Sequence, residues 1–437
     1  MKKTILLIPF FLICSCNLWW TITDIPYYIK KSRWIKKASP VEKNYFDSIE
    51  IDVIDGHIFG DVKIAGKDRL FIFDTGANTT LDERDVDSEG MKTRPKPDYD
   101  VGDTSDGLYK HIRKTKMFRS EFINLVDTVV IGNTAFNEVG TTTLIWDIMN
   151  YNSECYNQRG IIGSNIMKSG VWSFDYVNKK IKFSNDINKF KLENAVSFDF
   201  DFAMRDILPV IKLPIGDTVF NAGIDTGNPS FALVTNEKLF NHALKKTRAA
   251  MGVSEIPNIH SYLQKKFTKK YLNFLMLEVN IFDTVKTPIL AANQGLGMPG
   301  SNPFDLLLGY EFLKDFITTI DFQNKKIYFR AVNQQPQNII DRKVRNISVS
   351  LLKYDNRPYV RSYIPSKIDT SKVDIGDTVT AINGTPIEEI LFDDNYCEFI
   401  RDEKQFNTLP DTNIITIKNK KGETHSFKSY SITLFDD

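Results

Sequence analysis

The sequence predicts a mainly β protein in which one unit occurs twice and a smaller, different unit follows. Three observations carry this. Short runs rich in β-branched and aromatic residues recur along the chain, for example Leu125 to Ile131, Ile207 to Leu213 and Met276 to Phe282, the pattern of half-buried strands. A set of landmarks recurs in one order at nearly constant spacing. A polar stretch containing a proline, Asn333-Gln334-Gln335-Pro336-Gln337-Asn338, separates the repeated part from the remainder, as linkers do. The chain has 437 residues, room for roughly three units at about 150 residues each. Its 42% hydrophobic and 25% charged content excludes wholesale disorder. With 56 Lys plus Arg against 55 Asp plus Glu, it lacks the basic excess that a nucleic-acid partner requires.

The first element is an address. Lys2 and Lys3 precede an apolar run from Ile5 to Ile13, broken only by Pro9. This is the charged and apolar pattern of a secretory signal. The run is shorter than the span of about 20 residues a membrane helix needs. Leu12-Ile13-Cys14-Ser15-Cys16 resembles the lipobox of bacterial lipoproteins, which implies a signal over 1–15, lipidation of Cys16 and a tether over 16–44. The alternative is an uncleaved anchor helix continuing through Leu18-Trp19-Trp20. On either reading the chain is held to a membrane outside the cytoplasm, in the bacterial cell envelope, periplasmic or surface-exposed. Cys155 and Cys397 remain, expected as free thiols although one disulfide is arithmetically available. Neither lies at metal-ligand spacing, the five His are scattered, and no metal or cofactor is expected.

The duplicated unit comes next, over 45–192 and 193–332. Ser173-Phe174-Asp175-Tyr176-Val177-Asn178-Lys179-Lys180-Ile181-Lys182-Phe183 is answered by Thr319-Ile320-Asp321-Phe322-Gln323-Asn324-Lys325-Lys326-Ile327-Tyr328-Phe329 at an offset of 146 residues. Each reads as a β-hairpin. The same offset links Gly160-Ile161-Ile162-Gly163 to Leu306-Leu307-Leu308-Gly309, and Phe71-Ile72-Phe73-Asp74-Thr75-Gly76 answers Ala222-Gly223-Ile224-Asp225-Thr226-Gly227 at an offset of 151. Three landmarks in one order point to duplication. A given tripeptide is expected about 0.1 times in a chain of this length. The best helical segment is Asn236 to Met251, with Leu239, Phe240, Ala243 and Leu244 on one face.

A single Asp-Thr-Gly turn reads as local backbone chemistry, since Asp bonds its own turn and Gly supplies the bend. Two copies in duplicated units read differently. A pseudo-two-fold axis brings Asp74 next to Asp225, and two carboxyls about 3 Å apart share one proton. Such a pair holds a base and an acid together, the requirement for attack of water on a carbonyl.

These loops resemble the active-site loops of aspartic proteases, the retropepsin-like bacterial members fused in tandem as in pepsin-like bilobal enzymes. Ile161-Ile162-Gly163 and Leu307-Leu308-Gly309 resemble the family's second signature. The resemblance covers about 50–332. It implies two β-barrel lobes of the acid-protease fold, an aspartic endopeptidase acting through Asp74 and Asp225, and a protein or peptide substrate. It also implies cross-loop bonds from Thr75 and Thr226, and dyad support from Gly76 and Gly227. A monomer is expected because both loops sit in one chain. Ser105, Asp106 and Gly107, within Gly102 to Gly107, are the flap candidate, and the second copy shows no flap in sequence. Asn228-Pro229 after the second loop departs from the family's small residue. It motivates a rival reading, a peptide-binding lipoprotein that keeps the fold without cleavage.

The last unit follows the linker over 333–342 and covers 343–437. Asp374 to Ile387, with Asn383-Gly384 as a hairpin turn, resembles the core hairpin of bacterial PDZ domains. A helix is expected over 392–406, and a closing hairpin from Thr412 to Ile417 and Glu423 to Lys428. The resemblance implies peptide capture by strand addition. Residues 338–350 contain no Gly, so a module that packs against the rest of the chain is the other reading.

Overall fold

A computed structural model describes residues 29–36, 38–54, 56–82, 91–95, 122–144, 158–204, 206–215, 217–229, 232–234, 239, 249–255, 269–282, 285–293, 304–332, 343–350, 358–391 and 412–433. The protein is mainly β, and a closed six-stranded barrel stands at its start. Helix α1 (29–35) leads into β1 (Ser39–Pro40), β2 (Phe46–Glu50), β3 (Asp52–Ile54), β4 (His57–Ile64), β5 (Lys67–Asp74), β6 (Thr80–Asp82), β7 (Met91–Pro95), β8 (Phe122–Ile131), β9 (Thr134–Leu144) and β10 (Gln158–Gly163). The barrel closes through the pairings β4–β5, β5–β10, β10–β6, β6–β9, β9–β8 and β8–β4. Alternation drives it locally: in β4, Val62 and Ile64 are buried while Asp61 and Lys63 face solvent, the period of a one-sided strand.

The segment expected as a tether is in part docked on this barrel. β1 pairs with β9, and Ile35 of α1 is buried. A Cβ on Gly140 of β9 would lie 1.7 Å from the Trp34 carbonyl oxygen, so only glycine admits the segment at that place.

Helix α2 (Ser164–Met167) and the hairpin β11 (Val171–Asp175) with β12 (Lys180–Ser184) end the first copy. The second copy runs through β13 (Val196–Ala203), β14 (Leu208–Ile215), β15 (Thr218–Ile224), β16 (Ala232–Val234), β17 (Ala249–Glu255), β18 (Lys269–Phe282), β19 (Val285–Asn293), β20 (Leu306–Leu308), α3 (Tyr310–Leu313), β21 (Phe316–Asp321) and β22 (Lys326–Ala331). The same cycle of pairings recurs: β14–β15, β15–β20, β20–β16, β16–β19, β19–β18 and, through Ile215 opposite Val279, β18–β14. The helix expected over Asn236 to Met251 is corrected at its end. Leu239 is buried and helical, but Ala249 to Met251 open β17, which pairs along its length with β18. Sheet pairing there overrides the helical preference of Ala and Met. The hairpin β17–β18 holds the place in the second copy that β7–β8 holds in the first.

The two copies are joined by a shared antiparallel sheet in the order β2–β12–β11–β21–β22–β13. At its centre Ser173 lies opposite Thr319, the residue it answers in the repeat, so the local two-fold passes through this pair. Thr319 Oγ1 donates to Ser173 Oγ at 2.9 Å. The turns at both hairpins match as well. Asp175 and Asp321 accept from the backbone of Asn178 and Asn324, and Lys179 and Lys325 take φ of 50° and 52°. One apolar core runs through both copies. Trp172 stacks on Phe183 at 4.5 Å and 11°, an arrangement contributing about 0.5–1.5 kcal/mol beyond its buried area.

The C-terminal strands are β23 (Lys343–Arg345), β24 (Ile347–Ser350), β25 (Tyr359–Tyr363), β26 (Thr378–Ile382), β27 (Thr385–Pro386), β28 (Thr412–Lys418) and β29 (Thr424–Thr433), with α4 (Ile387–Leu391). Asn383 and Gly384 form the turn between β26 and β27 with φ of 52° and 84°, the two positive values of a type I′ turn. A second core around Val360, Val379, Ile415 and Ile417 holds this part, and Leu70 of β5 packs against it. Its β25 pairs with β17 of the second copy, Val253 opposite Tyr363 and Ser254 opposite Ser362. The expected helix over 392–406 and the linker lie outside the described residues.

Candidate active site

Asp74 closes β5 and Asp225 follows β15 directly. Each of these strands is flanked by a parallel neighbour from its own copy. Gly163 stands opposite Asp74, and Leu308 stands opposite Ile224. Two buried parallel strands leave the following residue at their carboxyl ends to turn out of the sheet, where Thr and Gly follow. The chain is then fixed from below. Ser164 N–H donates to the Ala77 carbonyl at 2.8 Å, and Tyr310 N–H to that of Asn228 at 2.8 Å.

The two loops meet. Thr75 N–H donates to Thr226 Oγ1 at 3.0 Å, and Thr226 N–H donates to Thr75 Oγ1 at 3.0 Å. Thr75 Oγ1 donates to the Ile224 carbonyl at 2.7 Å, and Thr226 Oγ1 to the Phe73 carbonyl at 2.9 Å. Both threonines are fully buried. These reciprocal bonds hold the loops in a fixed mutual position. Gly76 N–H donates to Asp74 Oδ1 at 2.6 Å, and Gly227 N–H to Asp225 Oδ1 at 3.0 Å. A Cβ on Gly76 would lie 2.7 Å from Asp225 Cγ, and one on Gly227 2.2 Å from Asp74 Cγ. Each glycine therefore lets the opposite carboxyl approach.

The carboxyls of Asp74 and Asp225 are hydrogen-bonded to each other. They keep part of their surface accessible, although they sit deep in the molecule. Burial raises both above the usual carboxylate range. Asp225 is raised further by the charge of Asp74 and by donating the bond between them. In Asp74, the bond accepted from Asp225 and the N–H groups of Gly76 and Ala77 work against the burial. The N–H groups of Gly227 and Asn228 work against the burial of Asp225 in the same way, and two carboxyls so placed share one proton and titrate as one unit.

Several neighbours carry no signal in the sequence reading. Thr79 N–H donates to Asn165 Oδ1 at 2.7 Å, Gly163 N–H to Thr79 Oγ1 at 3.0 Å, and Asn165 Nδ2 to the Gly140 carbonyl at 2.9 Å. This buried chain braces the first loop, and the place of Asn165 in the repeat is taken by Glu311 in the second copy. Tyr176 lies 5.5 Å from Tyr310, ring to ring. Burial, followed by Tyr310 and Asp225, pushes its hydroxyl well above its usual range. That hydroxyl has no hydrogen-bond partner among the described residues. His57 begins β4, beside Gly56, which packs against Pro229 and the Tyr310 ring. Burial lowers it to about 4.

The flap candidate Ser105, Asp106 and Gly107, the lipidation candidate Cys16, and Cys155 and Cys397 lie outside the described residues. Among the described residues no helix is long and apolar enough to cross a membrane.

No family model matches the chain, and no curated protein matches it. Among solved structures it is similar to basic 7S globulin from soybean, at 8% sequence identity and a TM-score of 0.38, over 65% of this chain and 95% of that one. A likeness of that grade carries nothing about activity.

Proposed function

We propose that this chain is an aspartic endopeptidase of the two-lobed, retropepsin-like type, with the two copies as its lobes and the C-terminal part as a PDZ-like module. The observation that carries the reading is the meeting of two Asp-Thr-Gly loops, one from each copy, with their carboxyls bonded to each other and the loops locked by reciprocal threonine bonds. Asp74 takes a proton from the attacking water as its oxygen bonds to the peptide carbonyl carbon. Asp225 gives its proton to the carbonyl oxygen, so no free oxyanion forms. The tetrahedral diol then collapses. Asp74 passes its proton to the leaving nitrogen, the C–N bond breaks, and Asp225 recovers a proton from a diol hydroxyl. The Asn383-Gly384 turn and the closing hairpin β28–β29 support the PDZ-like assignment. The amino-terminal pattern supports a tethered protein of the cell envelope, working outside the cytoplasm.

The test is cleavage of a diverse peptide mixture by the full chain in detergent, from acid to neutral pH, beside Asp74→Asn and Asp225→Asn. Loss of cleavage in both variants is expected. Equal cleavage by the variants overturns the dyad. Binding without cleavage by the wild type supports the peptide-binding reading, which Asn228-Pro229 favours.

A further inference from the structure

Residues 25 to 41 contain five cations, Lys30, Lys31, Arg33, Lys36 and Lys37, and no acid, in a chain whose formal charge is +1. Asp24 and Glu42 bound the stretch. The fold turns most of it into a face. Helix α1 is docked on the first barrel through Ile35 and the backbone at Trp34. That docking leaves Ile29, Ser32, Arg33 and Lys36 exposed, and their spacing puts them on one side of the helix. Ile29 keeps 46% of its surface exposed. Lys30 Nζ lies 4.5 Å from the centre of the Trp34 ring.

The hairpin tip between β13 and β14 adjoins this face. Lys36 Nζ is 4.0 Å from Asp206 Oδ2, and Lys168 Nζ donates to the Asp206 carbonyl. Lys168 lies 4.3 Å and Lys325 5.9 Å from the centre of the Phe202 ring. Met204, at the tip, is 46% exposed. Among the described residues, the acids paired with cations here are Asp206, with Lys36, Asp201, 3.3 Å from Lys325, and Asp199, 2.8 Å from Lys326. Lys30, Arg33, Lys36, Lys168, Lys325 and Lys326 against Asp199, Asp201 and Asp206 leave a positive surface with apolar side chains set in it.

We propose that α1 and the adjoining β13–β14 tip are a docking face for an anionic phospholipid surface. Charge complementarity selects the occupant. Lys and Arg side chains are drawn to the negative potential of such a surface, and exposed Ile and Met enter the headgroup boundary as amphipathic surface helices do. The place of the face in the chain agrees. Residue 29 is 13 positions beyond Cys16, a reach of at most about 45 Å. A tether alone fixes proximity. A charged face on the folded body fixes which way that body points.

The test uses the full chain reconstituted in vesicles, with a fluorescent side chain encoded at Ser32 and a nitroxide on a fraction of the lipid headgroups. One set of vesicles is phosphatidylcholine alone. The other contains roughly one-third phosphatidylglycerol. Quenching several-fold stronger in the anionic vesicles is expected. It should fall to the neutral level in about 1 M NaCl, where screening extends only about 3 Å. The same fall is expected in Lys30→Gln/Arg33→Gln/Lys36→Gln, whose altered side chains are not part of the core. Equal quenching in both lipids overturns the proposal, as does an anionic preference that neither salt nor the triple variant removes. Asp74→Asn is expected to leave the quenching unchanged, so this result stands or falls apart from peptide cleavage.

Discussion

Thr75→Val keeps the size of the side chain and removes one hydroxyl. That hydroxyl accepts from Thr226 N–H at 3.0 Å and donates to the Ile224 carbonyl at 2.7 Å, in a fully buried place. Two backbone groups of the opposite loop are then left dry. Each costs about 1–3 kcal/mol, which the extra buried methyl offsets by about 0.8 kcal/mol. The expected loss is about 3 kcal/mol, or roughly 100-fold in the unfolding equilibrium. Urea unfolding followed by tryptophan emission measures it, since Trp172 is fully buried in the core the loops rest on. Thr75→Ser keeps the oxygen and should recover most of the loss. Thr226→Val should match Thr75→Val, because the bonds are reciprocal. A Val variant within about 1 kcal/mol of wild type, or a Ser variant as damaged as Val, would refute the claim that these bonds lock the loops.

Stability should respond to pH with two opposed signs. Asp225 is raised in the fold above its usual 3.8, so its contribution is full below that value and is lost as pH rises through the raised one. Asp225→Asn should therefore be more stable than wild type near about pH 8 and lose that advantage in acid, read from melting midpoints. His57 is lowered to about 4 from 6.5, so its contribution is present above 6.5 and is lost as pH falls toward 4. His57→Gln should remove an acid-side loss of about 3 kcal/mol. Gly227→Ala places a Cβ 2.2 Å from Asp74 Cγ. Peptide cleavage should fall at least about 100-fold through misplacement of the carboxyl, with the β circular dichroism retained. Tyr176→Phe removes a buried hydroxyl that has no partner among the described residues and installs the residue its repeat partner has, Phe322. Stability should hold or rise by about 1 kcal/mol, measured in urea.

The parts of the fold that local pattern encodes are legible in the sequence. The hairpins β11–β12 and β21–β22 follow from alternation around an Asn-Lys turn, and the β26–β27 turn from Asn383-Gly384. The approach of Asp74 to Asp225 was legible only because the repeat supplied a symmetry. What escaped rests on contacts between distant residues. Thr79 and Asn165 are 86 positions apart, and nothing in either neighbourhood announces the other. Ala249 to Met251 carry helical preference, yet β18 supplies a partner strand and they extend. The docking of α1 had one local trace, a glycine at 140 inside a strand, and glycine there has several readings. His57 and Tyr176 gain their character from burial, which composition does not reveal.

The shared sheet has a consequence for how the molecule is made. β12 finds β2 within the first copy, but β11 must wait for β21, whose residues come 146 positions after the ones they answer. At ribosomal rates that wait is about 7–30 s. Throughout it, a strand carrying Trp172 and Phe174 presents an open edge, the kind of template that recruits the wrong partner. Two nascent first copies offer each other the same edge related by the same two-fold. A chain truncated after the first copy should therefore collect as a pair built on β11 against β11, a kinetic rival that the second copy, by arriving covalently attached, outcompetes.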